Sequence, residues 1–199
     1  MMTEQRLREI YGSPSPRAAA KVIHALDKHC RSFIANSAFL VLATSDGEGL
    51  DVSPKGDPAG FVIVEDDHNL LLPDRPGNNR IDGMLNLLKN PKVALLFMIP
   101  TVTETLRING TAVIHEDAAL CDLCAINGRS PKTVLRITVE EVFSHCGKAP
   151  LRAGLWKPDT WPDSRPVATL NEIVRDHSNI EVASIEQSAV DELYRKTLY

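Results

Sequence analysis

Apolar residues recur at three- and four-residue steps through residues 18–36, at Val22, Ile23, Leu26, Cys30, Phe33 and Ile34. That spacing predicts a helix with one buried face. Pro14 and Pro16 precede it, where a missing N–H does no harm. From Phe39 the period changes. Phe39-Leu40-Val41-Leu42-Ala43-Thr44 reads as a buried strand, and Ser45-Asp46-Gly47-Glu48-Gly49 as a turn with glycines where positive φ is needed. Leu50-Asp51-Val52-Ser53 alternates like a hairpin partner. Phe61-Val62-Ile63-Val64 and Leu70-Leu71-Leu72 follow on either side of a polar turn. The expectation is an antiparallel meander with short connections.

A loop, Pro73-Asp74-Arg75-Pro76-Gly77-Asn78-Asn79-Arg80, leads into a short helix over 81–89 that Asn90-Pro91 stops. Strands are then expected over 92–99, 105–114 and 133–139, with a small helix over 118–126. Beyond Phe143 the pattern turns helical or irregular. Prolines 150, 158, 162 and 166 punctuate it, and two terminal helices are expected over 170–175 and 184–198. The second carries an apolar stripe of Ile185, Val190, Leu193 and Tyr194, suited to packing on the barrel or a second subunit. Six or seven strands with short turns and interrupting helices predict a mainly β fold within an α+β class, a small antiparallel barrel with flanking helices.

Composition narrows the function classes. The chain has 199 residues, 43% of them hydrophobic, and a net charge of -4, which suits one domain with a substantial core. No run of five basic residues occurs, so no nucleic-acid partner is expected. No apolar run approaches the roughly 20 residues that span a bilayer, so no membrane partner is expected either. Met1 to Arg6 lead into no apolar stretch, and the expectation is a cytoplasmic protein without a signal peptide. Cysteines at 30, 121, 124 and 146 do not have the spacing of a disulfide scaffold. Cys121 and Cys124 form a CxxC with His115 upstream and His145 downstream, but it lies in a helical stretch. Buried structural cysteines are favoured over zinc, and no metal site is expected. Glycine-rich dinucleotide and phosphate loops and a GxSxG elbow are absent from the sequence.

Three stretches have chemical potential. Ser53-Pro54-Lys55-Gly56-Asp57 ends a strand with a hydroxyl and a cation, and Arg75, Asn78, Asn79 and Arg80 stand immediately before a helix. Two guanidinium groups beside the unpaired N–H groups of a helix start form a phosphate seat. Alternatively, Asn79 caps the helix and the arginines are solvated. In the second stretch Thr105, Arg107 and Asn109 share one face of a strand, either lining a site or facing solvent. In the third, Lys148 and Arg152 lie one helical turn apart with Trp156 a turn further on. That trio suits an aromatic anion, and equally an ordinary packing tryptophan.

Together these pieces resemble the pyridoxamine 5′-phosphate oxidase-like FMN-binding split barrels, in particular the probable FMN-dependent proteins with a DRPGNNR loop. The resemblance rests on Val52-Ser53-Pro54-Lys55-Gly56-Asp57, the 73–80 loop, Asn90-Pro91 with Val93 to Phe97, Glu104 to Gly110, and Lys148 to Trp156. It divides the chain into an N-terminal helical segment (1–32), the barrel (33–156) and C-terminal loop and helices (157–199), one domain overall. It makes the barrel a six- to seven-stranded antiparallel split β-barrel of the FMN-binding type, and implies a homodimer with FMN at the subunit interface. It places Lys55 near the isoalloxazine ring and Arg75, Asn79 and Arg80 at the phosphate, with Ser53 and Asn78 as further cofactor-binding candidates. Thr105 would be supplied by the partner subunit's copy and Arg152 and Trp156 would contact the flavin from the C-terminal side, with Arg107 and Lys148 as further cofactor-binding candidates. The chain departs from the pyridoxamine phosphate-oxidising members. Leu50 replaces their strand-opening arginine, the Arg75–Arg80 loop replaces an Arg-Lys clamp, and a substrate-reading Arg-Leu-His-Asp run is missing. The implied function is thus an FMN-dependent oxidoreductase of unknown substrate and electron donor, with oxidation of pyridoxamine phosphate disfavoured. A flavin or haem carrier or sensor without turnover, and a scaffold with a vestigial cleft, remain alternatives.

Overall fold

The computed structural model describes residues 1–179 and 187–199. The long N-terminal helix expected over 18–36 is broken in two. After α1 (Glu4–Tyr11), α2 (Pro16–Ala20) ends early and α3 spans Lys28–Asn36. Between them Ile23 is extended and exchanges two backbone hydrogen bonds with Val142, of 3.0 and 2.8 Å. Asp27 then starts a new helix by accepting from the N–H groups of His29 and Cys30 at 3.0 and 2.8 Å. Leu26, Cys30 and Ile34 still reach the core, so apolar spacing identified what is buried but not the continuity of the backbone.

The Asp27 cap gives a testable stability term. Its N–H bonds, chiefly that from Cys30, hold its carboxyl below the ordinary value of 3.8. Asp27→Ala is expected to cost about 1 kcal/mol in urea denaturation at neutral pH, whereas Asp27→Asn preserves most of the cap. Because the folded-state value is lowered, the ionic part is complete above 3.8 and fades as pH falls through the folded value. The difference between wild type and Asp27→Asn should therefore vanish in acid.

Seven strands make one antiparallel sheet: β1 (Phe39–Ser45), β2 (Leu50–Gly56), β3 (Ile63–Val64), β4 (Asn69–Pro73), β5 (Lys92–Met98), β6 (Thr105–His115) and β7 (Val134–His145). Their order is β2-β1-β5-β6-β7-β4-β3. This corrects the expected meander. The first four strands form two hairpins at opposite edges of the sheet, because the other side of β1 is taken by β5. Residues 57–62 carry the chain from one edge to the other.

The β7 strand runs past the expected end at 139, and a bulge explains the missed residues. Gly110 faces Val139 while Asn109 faces Glu141, which leaves Glu140 as the extra residue. The buried positions therefore step from Ile137 and Val139 to Val142, and the two-residue alternation is lost at that point.

Helix α4 (Asp82–Lys89) packs on β1 and β2, and α5 (Ala118–Leu123) lies between β6 and β7 in sequence. The main core draws Leu40 and Leu42, Leu95 and Phe97, Leu106 and Ile108, and Ile137 from the four central strands. Leu70 and Leu72 join it from β4, while Leu71 on the opposite face packs with Cys121, Cys124 and Val134. Both faces of β4 are thus covered, which accounts for its unbroken apolar run. Helices α6 (Lys148–Ala153), α7 (Leu170–His177) and α8 (Gln187–Lys196) complete the described chain. Residues 184–186 of the expected last helix lie outside the described residues. No helix among the described residues is long and apolar enough to cross a membrane.

Candidate functional site

Alternation along β2 sorts its residues onto two faces. Asp51, Ser53 and Lys55 are half-buried, while Leu50 and Val52 are 85% and 65% exposed on the other side. The half-buried face meets α4 and the loop before it. Ser53 Oγ donates to Asp51 Oδ2 at 2.6 Å. Gly83 lets the helix approach this strand, since a Cβ there would stand 2.9 Å from the same Asp51 oxygen. Asn86 Nδ2 donates to the buried Thr44 Oγ1 at 3.1 Å, and Lys89 pairs with Asp46 at 2.8 Å. Lys89, together with the N–H groups of Gly49 and Glu48, holds the Asp46 carboxyl well below the usual carboxylate range.

Two ion pairs then tie β2, at one edge of the sheet, to the exit of β4 beside the other edge. Lys55 Nζ lies 2.8 Å from Asp74 Oδ1, and Arg75 Nε lies 2.5 Å from Asp57 Oδ2. The second pair is well shielded, with side chains 16% (Arg75) and 1% (Asp57) exposed. Arg75 also donates to the Cys124 carbonyl at 2.9 Å. The two motifs noted in the sequence, 52–57 and 73–80, are therefore one structure across the split of the barrel.

The rest of the loop differs from a simple capped helix. Asn78 Oδ1 accepts from the Arg80 N–H at 3.0 Å. Asn79 and Ile81 both take left-handed backbone, at φ 58 and 52, which asparagine tolerates and a β-branched residue rarely adopts. Ile81 occupies the N-cap position of α4 and supplies no side-chain hydrogen bond, so Asn79 is not the cap. The helix start keeps its N–H groups free of a side-chain cap, next to Arg80, whose side chain is 73% exposed and pairs with Asp82 at 2.7 Å. Such a constellation favours an anion.

Thr105, Arg107, Lys148, Arg152 and Trp156 gather elsewhere. Arg107 is exposed and lies 5.5 Å over the Phe143 ring, with Nε 3.3 Å from Asn109 Oδ1. Asn109 in turn donates to Glu141 at 2.9 Å, and Thr105 pairs with His145 across the strands. Lys148 and Arg152 are exposed on α6, just after β7. Trp156 is half-buried and donates from its indole to the Val102 carbonyl at 2.8 Å. In the sheet, β1 and β5 separate this group from β2.

The site holds partners that the sequence did not single out: Asp51, Asp57, Asp74 and Tyr199. Asp51 immediately precedes the 52–57 motif. Asp57 lies within that motif and Asp74 within 73–80, where the sign alternation Lys55–Asp57 and Asp74–Arg75 was the available signal. Tyr199 had none. Its phenol donates to Asp57 Oδ1 and its ring lies 5.8 Å from the Arg75 guanidinium carbon.

The thiols also sort by environment. Burial, helped by Asp27, pushes the Cys30 thiol up to about 11, and burial likewise raises Cys121 and Cys124. Cys146 is exposed. A thiol-disulfide reagent should therefore modify one thiol quickly in the native protein and the other three only on unfolding. Loss of the fast phase in Cys146→Ser is the check.

Seven antiparallel strands, flanking helices and a motif-bearing split define an FMN-binding-type split barrel. Residues 26–146 match the family described as Pyridoxamine 5′-phosphate oxidase, and the chain belongs to that family. No curated protein sequence matches it. Among solved structures it is similar to HupZ of Group A Streptococcus, with 24% identity over 59% of this chain and 92% of that one and a TM-score of 0.48. It is also similar to a Lactobacillus delbrueckii protein named for the pyridoxamine 5′-phosphate oxidases (20% identity, 61% and 99% covered, TM-score 0.47). A third is an FMN-binding protein of Syntrophomonas wolfei (13% identity, 58% and 83% covered, TM-score 0.45).

Proposed function

We propose that the chain is a cytoplasmic FMN-binding flavoprotein, acting as an oxidoreductase on a small molecule that the site does not identify. The observation that carries this reading is the start of α4. It lacks a side-chain cap, is flanked by Arg80, and is fixed by two ion pairs to the β2 face that bears Ser53 and Lys55. A phosphate monoester fits the helix start, with Arg80 and the Asn78-Asn79 backbone as donors. Arg75 holds the loop against β2 and offers its remaining N–H groups to the same anion.

The ring would then lie along β2. Ser53 offers a hydroxyl there, and Lys55 a cation that Asp74 restrains at 2.8 Å. FMN when bound supplies hydride or electron transfer, while the protein orients it and sets its potential. A cation near the ring favours the reduced, anionic form, and Asp74 moderates that bias.

The reading also includes a homodimer. The second polar group, Thr105, Arg107, Lys148, Arg152 and Trp156, belongs to the same cofactor site if a second copy brings it against β2. Exposed Leu50 and Val52 of β2, with Leu85 and Leu88 of α4, supply apolar surface for that contact. Residues 33–156 would form the barrel and 1–32 and 157–199 its cover.

Arg80→Ala tests the seat without disturbing the core. It is expected to weaken FMN binding about tenfold or more, as loss of a charge-assisted contact should. Unchanged affinity would remove the loop from the site. Anaerobic bleaching of the bound flavin by NADH or NADPH would favour the oxidoreductase, and its absence would favour a carrier.

A further inference from the structure

Helix α8 buries none of its residues, and Leu193, Tyr194 and Leu198 are exposed. Tyr199, three residues beyond it, is nonetheless half-buried and held by three contacts. Its phenol donates to Asp57 Oδ1, the Arg75 guanidinium carbon lies over its ring at 5.8 Å from the centroid, and its main-chain oxygen accepts from Arg129. Arg129 stands on a tight turn. Ile126 and Arg129 exchange backbone hydrogen bonds of 3.1 and 2.9 Å around Asn127 and Gly128, both in left-handed backbone.

Two of the three contacts fall on the closure of the barrel split, those to Asp57 and Arg75. Asp57 gives one oxygen to Arg75 and the other to Tyr199. Arg75 has Nε on Asp57, one terminal nitrogen on the Cys124 carbonyl, and its guanidinium over the Tyr199 ring. An anion that engages Arg75 must therefore share it with this residue.

We propose that residues 197–199 form a strap over the candidate anion seat, with Tyr199 and a ligand phosphate competing for Arg75, so that ligand binding and strap release are coupled. The inference rests on the flavin reading. The strap is suited to release because the helix behind it has no buried anchor, and segments of that kind open at low cost. Tyr199 brings no charge to Arg75. The neighbouring carboxylate raises its phenol above the ordinary range, so it stays a neutral donor. A phosphate brings ionised oxygens, whose hydrogen bonds are roughly twice as strong as neutral ones. Linkage then requires reciprocity: the strap lowers the affinity for the anion, and the anion loosens the strap.

The test is an FMN titration by flavin fluorescence on the chain of residues 1–199, with Tyr199→Ala and Arg129→Ala as variants. Hydrogen exchange over 187–199 is followed with and without FMN. Both variants are expected to bind FMN more tightly, by about three- to tenfold, and FMN should speed exchange in 187–199 of the wild type. Tyr199→Phe, which keeps the ring and loses the donor, should fall between. Equal or weaker binding by both alanine variants, or slower exchange on adding FMN, would overturn the strap and leave the flavin reading intact. Failure of every form to bind FMN would overturn the flavin reading, and the strap with it.

Discussion

Arg75→Ala is expected to destabilise the protein by about 3–5 kcal/mol, because it leaves a buried carboxylate without its cation. Asp57 is 1% exposed, and Arg75 is its only cationic partner among the described residues. The loss has two further parts, the bond to the Cys124 carbonyl and the face shared with Tyr199. Urea denaturation measures it. The double variant Asp57→Ala/Arg75→Ala should recover part of the loss, since neither charge is then stranded, and adding Asp57→Ala alone completes the cycle that gives their coupling. A single variant within about 0.5 kcal/mol of wild type would show that the pair does not fasten the barrel. This double duty makes Arg75 a poor isolated probe of anion binding. Under the proposed reading, loss of flavin in its variants would mix loss of a ligand with loss of the loop's support, whereas Arg80 is exposed and avoids the ambiguity.

Gly110→Ala is expected to be comparably severe. At the β6–β7 bulge a Cβ on residue 110 would stand 2.0 Å from the Thr138 carbonyl oxygen and 3.0 Å from its carbon. These are backbone atoms of a paired strand and cannot move aside as a side-chain tip can. Relief requires separating the two longest strands, so a loss above about 4 kcal/mol, or failure to accumulate folded protein, is expected. Gly49→Ala is the control. Its added Cβ would meet only the Asp46 side chain, at 3.6 Å, an ordinary contact. Similar stability losses in the two variants would contradict the bulge geometry.

The parts of the fold legible in the sequence were those where one period holds without interruption. The β1 and β5 strands bury alternate residues and pair directly, so their apolar runs located them. Legibility failed where a long-range contact resets the local pattern. Ile23 and Leu26 are apolar because they face the sheet, and the helix spacing they share with Cys30 hid the extended bridge to Val142 and the Asp27 cap between them. Glu140 breaks the alternation of β7 for a reason found on β6, at Gly110.

The candidate site divides in the same way. The 52–57 and 73–80 motifs were recognisable as residues, but their pairing was not. Lys55 with Asp74 and Asp57 with Arg75 are neighbours only because the chain crosses from one edge of the sheet to the other. Asn79 looked like a helix cap, yet the left-handed turn places Ile81 in that position. Tyr199 was invisible because nothing near it in sequence reveals a partner as remote as Asp57.

The most direct test of the account is a calorimetric titration of the full chain with FMN and, separately, with riboflavin, which carries the same ring without the phosphate. The account predicts saturable FMN binding with one site per chain and riboflavin binding at least about tenfold weaker, because the helix start and Arg80 act on the phosphate. Equal affinities would contradict the assignment of the 74–82 loop as the phosphate seat, and the absence of FMN binding at saturating ligand would contradict the flavoprotein reading itself.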